Sequence, residues 1–144
     1  MINGSLVLAL GMTLAAAATV QGLESVVLVE NGQPKACVVI GEKPTKAAQV
    51  AAHELQYHIA LITGVSVPII TPKLATPGVF KIIVGDSAAA AELGFKSADF
   101  KPQEYLIAFR ENAVVLIGRD KADFETINYF TGAHFPSIFD AQGT

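Results

Sequence analysis

Residues 44–70, PTKAAQVAAHELQYHIALITGVSVPII, constrain the fold more than any other stretch of this 144-residue chain. Pro44 is tolerated in the first turn of a helix, where a missing N–H loses no partner. No further Pro or Gly intervenes before Gly64, which supplies a left-handed stop. Residues 65–70 then read as a buried strand. At ~100° per residue, Ala48, Ala51, Ala52, Leu55, Ile59 and Ile62 fall within one arc of roughly 100°. That arc is the expected core face.

The same helix carries His53-Glu54-x-x-x-His58, close to a zinc-protease signature. Two helical zinc ligands need a four-residue spacing to share a face. Histidines five apart diverge by roughly 140°, so zinc fails on geometry. Glu54 and His58 are four apart and are expected to pair as helix neighbours, with His58 partly buried at the edge of the core stripe. Val50, Tyr57 and Leu61 form a second apolar stripe on the opposite side. A helix lying on one small sheet should be polar there. The stripe is therefore expected to pack against another domain or subunit.

The flanking segments supply the sheet. Residues 25–30 (SVVLVE) and 36–40 (ACVVI) flank an Asn-Gly-Gln-Pro turn and read as an antiparallel pair. Residues 79–84 (VFKIIV) read as a strand, and 87–93 as a short Ala-rich helix closed by Gly94. Residues 104–109 and 113–117 form a hairpin around Arg110-Glu111-Asn112. Residues 120–130 are expected to form a last helix. This order implies an α/β (α+β) sandwich, with a mixed sheet of about five to six strands and helices mainly on one face.

The first segment stands apart. Residues 6–20 are uninterrupted and weakly apolar, and Ala16-Ala17-Ala18 offers a small-residue cleavage site. Residues 1–22 read as a secretory signal peptide, which leaves residues 23–144 as a secreted or periplasmic domain. About 15 residues is short for a membrane span, so none is expected after cleavage. The net charge of −3 and the lack of a basic stripe argue against nucleic acid as a partner. Cys37 is the only cysteine. It excludes an internal disulfide and reads as a small core residue.

Candidate chemistry is sparse. Asp86 and Asp120 each follow an apolar strand and a glycine, where ligands of open α/β sheets bind. Each also precedes a helix candidate, and N-capping is the favoured role. No Gly-x-Ser-x-Gly elbow or phosphate loop occurs, no Gly-x-Gly-x-x-Gly follows a strand, and no acid pair is placed by local spacing. No catalytic, cofactor-binding or metal-binding residue is assigned, and no cofactor is expected. Phe124, Tyr129, Phe130, Phe135 and Phe139 crowd the C-terminal stretch. Such rings fill cores or interfaces and also stack on sugars. Residues 140–144 read as a helix about to start, so the chain is expected to be the front end of a longer protein.

Four blocks in order carry a family resemblance: residues 51–69 (AAHELQYHIALITGVSVPI), 82–87 (IIVGDS) with Gly94, 104–109 (EYLIAF) and 114–120 (VVLIGRD). Together they resemble the N-terminal domain of bacterial α-glucuronidase-like glycoside hydrolases. That domain type is similar to the second domain of β-N-acetylhexosaminidases. The resemblance covers roughly residues 26–144, with 124–141 longer than the compact family version. It implies a zincin-like fold without a catalytic centre, leading into a catalytic (β/α)₈ barrel of the same parent protein. The implied role is a non-catalytic accessory domain of a secreted polysaccharide-degrading enzyme. The implied partners are that barrel and a plant-type polysaccharide such as uronic-acid-decorated xylan. No catalytic residue of the family maps onto this chain. Three rivals follow from the residues themselves: a free-standing carbohydrate-binding module using Tyr129 and Phe135, a small metallohydrolase using His53, Glu54 and His58, and a purely structural or assembly domain, which the opposite-face stripe equally permits.

Overall fold

Two apolar strands, β3 (Ala36–Ile40) and β5 (Phe80–Val84), run parallel at the centre of the main sheet. The sheet belongs to a computed structural model of the chain that describes residues 25–134. Residues 1–22, read above as a signal peptide, and Phe135, Phe139 and residues 140–144 lie outside the described residues. Val38, Val39, Ile83 and Val84 are 0–1% exposed. Each contributes ~1.5–3 kcal/mol of burial. Runs without alternation suit strands covered on both faces.

Among the described residues five strands make the main sheet, in the order β4 (Ile69–Ile70), β3, β5, β7 (Ala113–Gly118) and β6 (Tyr105–Arg110). β4 and β7 add in parallel to β3 and β5. β6 closes the far edge as an antiparallel hairpin with β7. The result is the mixed-sheet α/β sandwich that the element order implies.

The first hairpin differs from expectation. β1 (Val29–Glu30) pairs with β2 (Gln33–Pro34), not with residues 36–40, and the two form a separate small sheet. A run apolar on both faces gains most from a central place between β4 and β5. β3 therefore turns away from the hairpin after Lys35.

α1 (Lys46–Thr63) lies over β3, β4 and β5. The Thr45 hydroxyl accepts the Ala48 amide at 3.1 Å, and Gly64 ends the helix at φ 72°. Ala48, Ala52 and Ile59 pack on Val38, Ile82, Val84 and Val67. Ile62, expected on this stripe, is instead 84% exposed. The core seam ends at Ile59, because the two-residue β4 is all the sheet offers at that corner.

α2 (Ala88–Glu92) sits on the opposite face, where Ala90 joins Cys37, Val39, Ile83, Val115 and Ile117. Helical cover is thus lopsided, with the long helix on one face and a single short one on the other. Burial pushes the Cys37 thiol above its ordinary pKa, with Lys81 partly opposing. Gly85 needs its lack of a side chain twice over. Its φ is 67°, and a Cβ there would stand 2.8 Å from the Ala48 Cβ, where α1 crosses the end of β5.

The expected last helix does not form. Residues 120–128 run without helix along α1 as a strap, and Tyr129 and Phe130 enter a turn. The Lys46 amide donates to the Asp123 carbonyl at 2.7 Å. Gln49 clamps the strap from both sides of its amide group: Nε2 donates to the Glu125 carbonyl at 3.0 Å, and Oε1 accepts the Ile127 amide at 3.0 Å. These contacts use backbone groups that a helix would need for itself, and they bury Ile127.

Candidate functional site

β3, β5 and β7 all end at one edge of the sheet, and each is followed by a polar residue. The chain leaves β3 through Lys43 and Thr45, β5 through Gly85-Asp86, and β7 through Arg119-Asp120. In open α/β sheets this carboxyl edge is where ligands sit. Here it holds a cleft of about 210 Å³ lined by Lys43, Thr45, Asp86, Ser97, Arg119 and Asp120. Ligand pockets are usually larger, ~300–1,000 Å³.

Most of these polar groups hold the edge together. Asp86 accepts the Ser97 amide at 2.9 Å and the Ser97 hydroxyl as well. It does not cap α2; the Ser87 hydroxyl does, accepting the Ala90 amide at 3.1 Å. Asp120 accepts the Thr45 hydroxyl at 2.7 Å. Among the described residues no helix follows it, so its capping role is indirect: it orients the residue that caps α1. Arg119 Nη1 donates to the carbonyls of Ala98 and Phe100, both at 3.2 Å, and so pins residues 97–100 to the sheet. Gly41 lies so close under this edge that a Cβ there would collide with the Asp86 carbonyl.

The strand-glycine-acid echo places Asp86 and Asp120 at the same edge, as their sequence context indicates. Lys43, Ser97 and Arg119 escaped sequence reasoning. The usable signal was that Arg119 lies between the two elements of the echo's second copy. Ser97 arrives from a 3₁₀ turn (Ser97–Asp99) that no local pattern ties to β5.

A second cluster forms on the outer side of α1. His53 stacks on Tyr129, with centroids 5.1 Å apart and planes at 22°. Glu54 accepts the Tyr129 hydroxyl at 2.8 Å and meets His58 Nε2 at 3.3 Å. The Glu54 carboxylate raises the Tyr129 pKa, first through that hydrogen bond. The predicted Glu54–His58 pair is present, but His58 is exposed, not partly buried. His53 and His58 serve different neighbours. Among the described residues no group of three or more His, Cys, Asp or Glu could hold a metal ion.

Tyr57 and Leu61 of the outer stripe are 50% and 63% exposed. Val50, nearer the start of α1, is half-buried. Of the C-terminal rings, Tyr129 is half-buried and Phe130 is 94% exposed. No described helix is long and apolar enough to cross a membrane. No protein-family model, curated protein or solved structure matches the chain.

Proposed function

We propose that this chain is the non-catalytic accessory domain of a secreted α-glucuronidase-like glycoside hydrolase, in which it supports a separate catalytic barrel. The ordered sequence blocks are the first support. The structural observation that carries the proposal is the outer stripe of α1. Tyr57 and Leu61 of that stripe are 50% and 63% exposed, and Ile62, which leaves the core seam at the same end of the helix, is 84% exposed. An apolar surface of that kind fits a docking face for a neighbouring domain. The carboxyl edge is consistent with the same role, because its two aspartates anchor Ser97 and Thr45. A zincin-like classification without a catalytic centre belongs to this proposal, as do the uronic-acid-decorated xylan substrate of the parent enzyme and its secretion.

The experiment compares the native gene product with residues 23–144 alone. Both are assayed for uronic acid release from decorated xylan, and the native product is sized by intact mass. An accessory domain leaves the isolated residues inactive, and Leu61→Asp lowers the melting temperature of the native product more than that of the isolated domain. Hydrolysis by the isolated residues that is lost in Glu54→Gln would overturn the assignment.

A free-standing glycan-binding module is the second reading, favoured by Phe130, whose exposed ring stands edge-on to Tyr129 at 5.9 Å. Retention of the isolated domain on a xylan affinity gel, removed by Phe130→Ala, would favour it over the first.

A further inference from the structure

The two edges of the main sheet are built differently. β4 exposes only Ile69–Ile70, with Pro68 before it and Pro72 shortly after. β6 occupies the other edge for six residues without a proline or lysine. Natural sheets blunt their edges with short strands, prolines and lysines, because a free row of N–H and C=O groups templates pairing with another chain. One edge here has these devices and the other lacks them.

The direction of the free row follows from the hairpin. The Arg119 amide donates to the Glu104 carbonyl at 3.2 Å. Glu104 and, by alternation, Leu106, Ala108 and Arg110 thus turn their backbone groups toward β7. Tyr105, Ile107 and Phe109 turn theirs outward. Consistent with this, the Phe109 carbonyl accepts Arg110 Nη1 at 2.8 Å. The side chains of these three residues are 68%, 54% and 53% exposed. They share a face with their cross-strand partners Leu116 and Val114, on the α1 side but beyond the strands that α1 covers.

We propose that β6 pairs with β6 of a second copy of this chain, antiparallel about a two-fold axis through Ile107, so that two five-stranded sheets become one. Residues 104–110 read Glu-Tyr-Leu-Ile-Ala-Phe-Arg. Laid antiparallel on itself about Ile107, this heptapeptide is self-complementary. Glu104 faces Arg110, Tyr105 faces Phe109, Leu106 faces Ala108, and Ile107 faces itself. An isologous interface repeats each of these contacts across the axis. All three outward residues then sit in hydrogen-bonded pairs, two N–H···O bonds to each pair, or about six in total. Aromatic and opposite-charge cross-strand pairs are the favourable ones. A two-residue slip sets Arg110 against Pro102 or Leu106 and loses the ion pair, so charge specifies the register. Arg110 exchanges its bond to the Phe109 carbonyl for the second copy's Glu104. The pairing uses neither Tyr57 nor Leu61, so it stands or falls separately from the accessory-domain assignment.

The test is sedimentation velocity on the full chain at about 100 μM, where even a micromolar interface is occupied. The expected species is a dimer. Ile107→Lys sets two ammonium groups against each other at the axis, in a position already half exposed. It raises the dimer Kd by about 100-fold or more, while circular dichroism and melting temperature stay those of a folded monomer. Arg110→Glu and Glu104→Arg each weaken self-association about tenfold, and mixing the two restores a dimer because both charge pairs re-form in the heterodimer. A wild-type monomer at that concentration, a dimer indifferent to Ile107→Lys, or a charge-swapped mixture that stays monomeric would each overturn the proposal.

Discussion

Lys46 and Asp123 are joined twice: the Lys46 amide donates to the Asp123 carbonyl at 2.7 Å, and the Lys46 ammonium meets the Asp123 carboxylate at 3.1 Å. The same ammonium reaches Glu125 at 2.8 Å, and Glu125 reaches His134 at 3.2 Å. The first turn of α1 and the strap that follows β7 are therefore one unit, although 77 positions separate Lys46 from Asp123.

That unit makes stability depend on acid. The Lys46 hydrogen bond, then the charges of His134 and Lys46, hold Glu125 below the usual carboxylate range. For Asp123 desolvation pulls upward, but the hydrogen bond from Lys46, the Glu125 amide and nearby lysines bring the balance below the usual value. A carboxylate whose folded pKa is depressed contributes stability above its unfolded pKa, and that stability is lost as pH falls through the folded one. Thermal melts at stepped pH check this. Lys46→Met melts below wild type near neutrality, and the gap closes below about pH 4. A gap constant across that range would contradict the assignment.

Thr45 caps α1 through a hydroxyl that also donates to Asp120. Thr45→Ala removes both bonds and is expected to destabilise by about 1–2 kcal/mol in urea denaturation. Thr45→Ser keeps the hydroxyl and most of the stability. Asp120→Ala leaves the capping oxygen in place and costs less than Thr45→Ala.

Gly85→Ala meets two penalties, a left-handed backbone and the Ala48 methyl at 2.8 Å. A backbone term of ~1–2 kcal/mol and overpacking of ~1–3 kcal/mol give a loss of about 2–5 kcal/mol. In an Ala48→Gly background only the backbone term remains, so the double-mutant cycle shows a coupling of about 1 kcal/mol or more. Equal losses in both backgrounds would mean that α1 does not bear on the end of β5.

Zinc supplies a check on the outer face of α1. Isothermal titration of the chain with zinc is expected to show no one-to-one site that His53→Ala removes, because His53 is stacked on Tyr129 while His58 pairs with Glu54. Stoichiometric zinc lost in that variant would revive a metallohydrolase. Tyr129→Phe is expected to increase His53 mobility without creating affinity for metal.

Legibility in the sequence tracks how local each determinant is. α1 was readable to within two residues, since Gly64 stops it as expected, while its start at Lys46 leaves Pro44 just ahead of the Thr45 cap rather than in the first turn. The apolar runs that became β3, β5 and the β6–β7 hairpin were readable for the same reason. The partner of β3 was not, because two apolar faces demand burial without saying between which strands. Ile62 lies at the right angle for the core and misses it, because helical phase says nothing about where the sheet beneath ends. The failed helix at residues 120–130 is a tertiary override: the strap's carbonyls satisfy Lys46 and Gln49 instead of its own amides. At the candidate site the echo of Gly85-Asp86 and Gly118-Arg119-Asp120 carried real information, since parallel strands deliver both to one edge. What each carboxylate does there depended on Ser97 and Thr45, which are set by loops.

The strap also imposes an order of events on synthesis. α1 emerges from the ribosome long before Asp123 and Ile127 exist, so the Lys46 amide is without its Asp123 partner while β5, β6 and β7 are made, whereas the Ala48 amide already has the Thr45 hydroxyl. Contacts this distant form late, after the loop between them has closed. Hydrogen-exchange labelling during refolding should therefore find the Lys46 amide among the last to gain protection, well behind the middle of its own helix. On that expectation, the helix most visible in the sequence is the one whose beginning is finished last.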